Sequence, residues 1–419
     1  MLSEEEVAKN LFFAMKNDTE NVKKLNSNAL YSNQIEEGNV LLTNKSFGDL
    51  GLKNELVIML NKNGFDKPTK IQELSIPIIC SGQDGAFHSK SGTGKTIGFA
   101  CGIINGIEQG KGPQALIVTP TRELNMQIFE VVRKLAFEMN ISTCVALKEF
   151  MSDNIAEEIV IGCPAKLIGL ISRGALKTEN LKMIVLDEAD EMITKRTFAL
   201  QTMNLLKLCG SIQKVFFSAT YSEQSQKAVE MVSPNCQKFF KENVKADNIK
   251  LFYLEVEKNK KIDTLKKILE LLTVAQTIVF VNSRKMVDLV AKILCEDGFP
   301  VSKLHGELSS EQRDSVLADF ASAKTKVLIS TDVFSRGMDI PQVNLIVNFD
   351  LPIVKFGNNV ETYIHRVGRS GRFNRQGFVI DFIACAEDYE VLQTIQTTIK
   401  EAPMKFTINA LMNIFTQEN

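Results

Sequence analysis

Short apolar runs rich in β-branched residues alternate with helix-length segments through most of the 419 residues, and no other feature restricts the fold as much. A strand that is apolar at nearly every position, rather than at every second one, has to be covered on both faces. Such strands separated by helices are the pattern of an α/β fold, a parallel sheet between two helical layers. The first series is 114–119 (QALIVT), 158–161 (EIVI), 182–186 (KMIVL) and 213–217 (QKVFF). A second occupies 250–256, 277–281, 326–330, 343–347 and 378–383. Between them the stretch NCQKFFKENVKADNI is polar and has no clear period. The reading is two domains of similar size with about five strands each, 46–235 and 250–419, joined by a linker at 236–249. An extension at 1–45 precedes them, one helical stretch followed by a polar segment rich in Asn.

Lys plus Arg number 49 against 50 Asp plus Glu, with 44% hydrophobic and 24% charged residues, so the chain as a whole is not disordered. Near-neutral charge means that any nucleic-acid binding has to come from a local basic cleft. The N-terminal MLSEEEVAKNLFFAMKNDTE is acidic where a signal peptide is basic, and no apolar run approaches the roughly 18 residues of a membrane span. Eight cysteines without a C-x-x-C pair fit reduced, buried thiols. The expectation is a protein of cytosol or nucleus.

Residues 91–96 read SGTGKT, after the short apolar 86–87 and before an apolar helical segment. Glycines let backbone N–H groups close around phosphate oxygens, and a helix N-terminus adds partial positive charge. Ser91, Gly92, Thr93 and Gly94 are therefore candidates to cradle phosphate, Lys95 to reach the β- and γ-phosphates, and Thr96 to ligate Mg²⁺. The opening position of the loop pattern is Ser89 rather than Gly. Apolar 183–186 then runs into Asp187-Glu188-Ala189-Asp190. A carboxylate at a strand's C-terminal end lies at the sheet edge that a phosphate loop uses. Asp187 suits Mg²⁺ held through water, and Glu188 suits orienting or deprotonating an attacking water.

DEAD at 187–190 together with SGTGKT resembles the DEAD-box RNA helicases, and the resemblance runs from about Phe47 to about residue 400. It implies two RecA-like domains, ATP and Mg²⁺ as cofactors, and RNA-stimulated ATP hydrolysis. The segment GFDKPTKIQ resembles the adenine-reading motif, which implies that Phe65 stacks on the base and Gln72 bonds its edge. PTREL at 120–124 resembles an RNA-backbone motif, and Ser218-Ala219-Thr220 resembles the motif coupling nucleotide state to RNA, with Ser218 and Thr220 its coupling residues. TDVFSRGMD and HRVGRSGR match the two most diagnostic motifs of the second domain.

Arg366, Arg369, Arg372 and Arg375 recur every three residues, and guanidinium forks match phosphate geometry. By resemblance, Arg369 and Arg372 are arginine fingers on the γ-phosphate, Gly337 and Asp339 lie near the nucleotide and ribose, and His365 and Arg366 couple ATP to RNA. The loop and the fingers are about 275 residues apart in sequence, so sharing one ATP requires the two domains to close. RNA candidates are Thr121, Arg122, Pro164 and Lys166 in the first domain and Arg284 and Thr331 in the second. Their types suit phosphate and 2′-OH contacts without base readout.

Lys90 replaces the usual Gln, Cys163-Pro164-Ala165-Lys166 replaces TPGR, and Ser310, Ser335 and Met338 also depart from the family pattern. Two traits narrow the resemblance: 143–155 (TCVALKEFMSDNI) has no glycine, and IVKFGNNV lengthens the connection before ETYIHR. Both resemble the mRNA-export helicase of the nuclear pore. That implies removal of proteins from mRNA at the pore's cytoplasmic face, an inositol-hexakisphosphate-bound activator, a cytoplasmic nucleoporin, and a monomer. A translation-initiation-type helicase and an ATP-gated RNA clamp are the alternatives. At the N-terminus, Ser3 and Glu6 form an S-x-x-E capping box, with Val7, Leu11, Phe12 and Met15 at helical spacing. The resulting helix of about 14 residues needs a docking surface. It either packs permanently on the first domain or regulates the motor.

Overall fold

The computed structural model describes residues 2–24, 42–89, 92–240, 248–272, 276–332, 343–352, 359–371 and 376–418. The chain forms two compact units, one from 35–242 and one from 243–419 together with the N-terminal segment 1–34.

The first unit holds β1 (Gly85–His88), β2 (Ala115–Val118), β3 (Thr143–Ala146), β4 (Ile159–Gly162), β5 (Met183–Asp187), β6 (Gln213–Ser218) and β7 (Gln237–Phe239). They lie in the order β3-β4-β2-β5-β6-β1-β7, every pairing parallel. The second unit holds β8 (Ile249–Glu255), β9 (Gln276–Phe280), β10 (Val301–Leu304), β11 (Val327–Ser330), β12 (Val343–Asn348), β13 (Gly377–Ile383) and β14 (Met404–Lys405). Their order is β10-β11-β9-β12-β13-β8-β14, again parallel throughout. Adding seven to each label of the first sheet gives the second, so one topology is built twice, although the two halves show no obvious sequence repeat. Each sheet separates two apolar clusters, one per face, as strands between helical layers require.

Each sheet has seven strands where about five were expected. The central strands were legible because β2, β4, β5, β11, β12 and β13 are buried at every position. The missed β3, β7, β10 and β14 stand at the sheet edges, where only part of each strand is covered and no continuous apolar run is needed. β7 falls within the stretch read as linker, and it pairs with β1 instead.

The N-terminal helix also differs from expectation. It spans Glu4–Lys24, longer than about 14 residues, and is opened by the expected box: Ser3 N donates to Glu6 Oε2 at 2.7 Å and Glu6 N to Ser3 Oγ at 3.2 Å. Its stripe of Val7, Ala8, Leu11, Phe12 and Met15 is buried in the core of the second unit, not on the first domain. It lies along the C-terminal helix Ile408–Glu418, with Phe12 edge-to-face on Phe415 at 6.3 Å and Glu4 ion-paired to Lys405 at 3.5 Å. Helical periodicity shows that an apolar face needs a partner, and leaves open which partner it finds.

Candidate nucleotide and RNA sites

In each unit the chemistry-bearing residues collect at the carboxyl edge of the sheet, because every strand is parallel and every following loop emerges there. In the first unit β1 ends at His88, and the loop Gly92–Gly94 leads into the helix Lys95–Gly106. Gly94 has φ of +92°, and a Cβ there would lie 2.5 Å from Gln72 Nε2, so only glycine fits without displacing that side chain. Ser89 Oγ and Thr93 Oγ1 share a 2.5 Å hydrogen bond that braces the turn. Thr96 is half-buried at the first turn of the helix. Ser91 lies outside the described residues.

Lys95 is 8% exposed, and its ammonium has no hydrogen-bond partner among the described residues. A buried cation without a partner is costly, and an anion such as a phosphate removes that cost. Asp187 closes β5, 4% exposed, with its carboxyl raised to about 6 by burial, opposed by the nearby Lys95 charge. A divalent cation fits this carboxylate, since it would restore the charged form that burial disfavours. Glu188 follows with φ of +57°, an uncommon left-handed conformation for a residue with a Cβ.

Asp190 is a site residue that the sequence reading did not single out. Fully buried, it accepts Ser218 Oγ at 2.7 Å and Thr220 Oγ1 at 2.5 Å. The loops after β5 and β6 are thereby tied through one carboxylate, and the short hydroxyl donors explain why Ser and Thr occupy 218 and 220. Its only signal in sequence is its place as the last residue of DEAD.

Gln72, expected at the base edge, also has partners within the first unit. It is the third residue of the helix Lys70–Cys80, where its Oε1 accepts from Thr69 N at 2.9 Å as part of a capping box, and its Nε2 donates to Gly94 O at 3.1 Å. Its amide thus joins the motif around Phe65 to the phosphate loop. Phe65 itself is half-buried against the core of the first unit.

Among the RNA candidates, Thr121 caps the helix Arg122–Glu138, accepting from Leu124 N at 3.3 Å. Pro164 starts the helix Pro164–Ser172, where its missing N–H is no loss. Lys166 donates to the carbonyls of Lys148 and Phe150 at 3.1 and 2.7 Å, so its ammonium also holds the glycine-free loop. Asn125 Nδ2, 3.0 Å from Cys163 Sγ, joins the two helix starts. In the second unit Arg284 is ion-paired with Glu307, and Thr331 N donates to Leu304 O at 3.4 Å.

Arg366 is the centre of the second unit's edge. It sits on the helix Asn359–Val367 and is fully buried. Its Nε donates to Asp332 at 2.6 Å, Nη1 to Asp350 O at 2.7 Å and Asn348 Oδ1 at 3.3 Å, and Nη2 to Asn282 Oδ1 at 3.1 Å, with the guanidinium 5.1 Å from the centre of the Phe280 ring. It therefore ties together the segments that follow β9, β11 and β12. This helix ends at Val367, so Arg369 lies beyond it, in the following turn. It is 2% exposed and donates its Nε to His365 O at 3.0 Å. Arg372, Arg375, Gly337 and Asp339 lie outside the described residues.

A family model described as DEAD/DEAH box helicase matches residues 69–229, and one described as helicase conserved C-terminal domain matches 260–374. ATP-dependent RNA helicase eIF4A of Pyricularia oryzae is 38% identical over 383 residues, covering 88% of this chain and 95% of that protein. ATP-dependent RNA helicase FAL1 of Kluyveromyces lactis is 37% identical over 359 residues, covering 83% and 89%. Among solved structures, Dbp5 of S. cerevisiae bound to RNA and ADP BeF3 matches with a TM-score of 0.84 at 31% identity, covering 89% of this chain and 98% of that one. A Dbp5 variant bound to Gle1 and IP6 matches at 0.74 and 30% identity, covering 90% and 99%.

Proposed function

The chain belongs to the DEAD-box family of ATP-dependent RNA helicases, and we propose that it works in mRNA export, stripping proteins from mRNA at the cytoplasmic face of the nuclear pore. The observation that carries this reading is the likeness to Dbp5 over 98% of that chain. The glycine-free stretch after Ala146, held by Lys166 at the carbonyls of Lys148 and Phe150, adds to it. Dbp5 has been solved with Gle1 and IP6, and with Nup159 as well. The corresponding partners here are an inositol-hexakisphosphate-bound activator and a cytoplasmic nucleoporin.

In the proposed cycle, the Gly92–Gly94 turn and Lys95 hold the phosphates of ATP, and Phe65 packs on the adenine. Thr96 and Asp187 would hold Mg²⁺, which would supply charge neutralisation at the phosphate oxygens. Glu188 accepts the proton of the attacking water, and Arg369 and Arg372 act on the γ-phosphate. Asp190, through Ser218 and Thr220, links the Asp187–Glu188 strand end to the loop after β6. Thr121, Arg122, Pro164, Arg284 and Thr331 face RNA.

The second reading, a translation-initiation-type helicase, is favoured by the higher identity to eIF4A, 38% against 31%. Rapid depletion of the protein in cells separates the two. Export work predicts nuclear accumulation of polyadenylated RNA before polysomes decline. Early loss of polysomes with normal nuclear RNA would replace the export reading by the translation reading.

A further inference from the structure

We propose that Asp381 is a positioning residue for the helicase reaction: it fixes the guanidinium of Arg366, and through it the turn that carries Arg369. The proposal rests on the assignment of Arg369 to the γ-phosphate made above, and it adds a residue that none of the motifs contains.

Asp381 lies on β13 directly opposite Asn348 on β12, and both side chains are fully buried. Its Oδ1 accepts from Asn348 Nδ2 at 2.7 Å and its Oδ2 from the Tyr363 hydroxyl at 2.8 Å. An ionised carboxylate only accepts hydrogen bonds. It therefore dictates which end of the Asn348 amide faces it, and the NH₂ group has to turn toward Asp381. The amide oxygen is then left facing Arg366 Nη1, which needs an acceptor. A neutral amide at 381 would remove this constraint, because it offers a donor and an acceptor and tolerates either orientation of Asn348.

The second route runs through the helix. Tyr363 and Arg366 are three residues apart on Asn359–Val367 and so occupy neighbouring positions on its surface. The Tyr363 hydroxyl pins this face of the helix to β13, while Arg366 pins it to the segments after β9, β11 and β12. Arg369 follows within one turn, bonded to His365 O at the end of the same helix. Small displacements of a group acting on a phosphate lose large factors in rate, so the burial of this carboxylate has a mechanistic reason.

The test is RNA-stimulated ATPase of the full chain with poly(U), measured with thermal unfolding. Asp381→Asn should lower kcat by about tenfold while KM for ATP changes by less than about threefold, because ATP is held by the first unit. Unfolding temperature should be unchanged or higher. The exchange variant Asn348→Asp/Asp381→Asn puts the acceptor-only group beside Arg366 and leaves an amide to bridge it to Tyr363. It should recover kcat to within about threefold of wild type. A kcat within twofold of wild type for Asp381→Asn, or no recovery in the exchange variant, overturns the proposal. Arg369→Ala serves as the control. If it loses turnover while Asp381→Asn does not, the proposal alone fails. If Arg369→Ala itself turns over normally, the assignment beneath the proposal falls and the proposal with it.

Discussion

Lys95 in the first unit and Arg366 in the second are both buried cations at the carboxyl edge of a sheet, and they are treated in opposite ways. Lys95 in the first unit has no hydrogen-bond partner among the described residues, while Arg366 in the second donates to Asp332, Asn348, Asp350 and Asn282. The sheets are the same, so architecture does not set the difference. An ammonium left bare in a phosphate loop holds a binding position open for an anion. A planar guanidinium serving several fixed acceptors is a strut. Burial and positive charge alone therefore do not identify a ligand-binding residue; partner count separates the two cases.

The largest effect expected from this contrast is on turnover. Lys95→Met should reduce ATP hydrolysis by about 10³-fold, the scale for removing a cation from a transferring phosphoryl group, with no fall in unfolding temperature. The same replacement at Arg366 should do the reverse in thermodynamic terms. Arg366→Met should destabilise the second unit by about 3–5 kcal/mol in denaturant unfolding, because its buried acceptors lose their donor, while ATP affinity of the first unit persists. Arg366→Lys should recover less than half of that loss, since an ammonium cannot span the same acceptors. Next in size is Leu11→Ala, which should cost the second unit about 2–4 kcal/mol and leave the first unchanged. With the N-terminal helix a fixed part of that core, deleting residues 1–20 should lower the unfolding midpoint of the second unit.

The smallest effect is a pH dependence. Burial raises the Asp381 carboxyl to about 6, partly opposed by Asn348, Tyr363 and Arg366. A carboxyl whose folded pKa lies above its unfolded one binds its proton more tightly in the native state. Its ionised form therefore costs stability above about pH 6, and that cost is relieved as pH falls from about 6 to about 4. Its share is on the order of 2–3 kcal/mol, read as the difference between wild type and Asp381→Asn in unfolding free energy across that range.

The central strands and the phosphate loop were legible because each rests on a local rule, an unbroken apolar run or a glycine turn before a helix. Asp381 was not, since it stands inside the run GFVIDFI, and nothing local shows that Asn348 and Tyr363 meet it. Gln72 illustrates a different gap. Its motif points to a nucleotide and does not show that, as third residue of a helix, its amide also bonds Thr69 N and Gly94 O. Asp190 and Lys166 gain their roles from loops brought together by the sheet order, through contacts 28 and 30 residues apart for Asp190 and 18 and 16 for Lys166. The N-terminal helix was found by its period and given the wrong neighbour, because a stripe of Val7, Leu11, Phe12 and Met15 fits any apolar groove.

That helix also imposes a schedule on synthesis. Its partner Ile408–Glu418 follows about 380 residues later, so a segment made early docks against one made late. At about 5–20 residues per second, the intervening 380 or so residues take on the order of 20–80 seconds to make. For that interval Leu11 and Phe12 have no completed groove to enter, although the first sheet can form meanwhile. The three acidic residues of the first turn, Glu4, Glu5 and Glu6, give the waiting helix a charged end that opposes self-association.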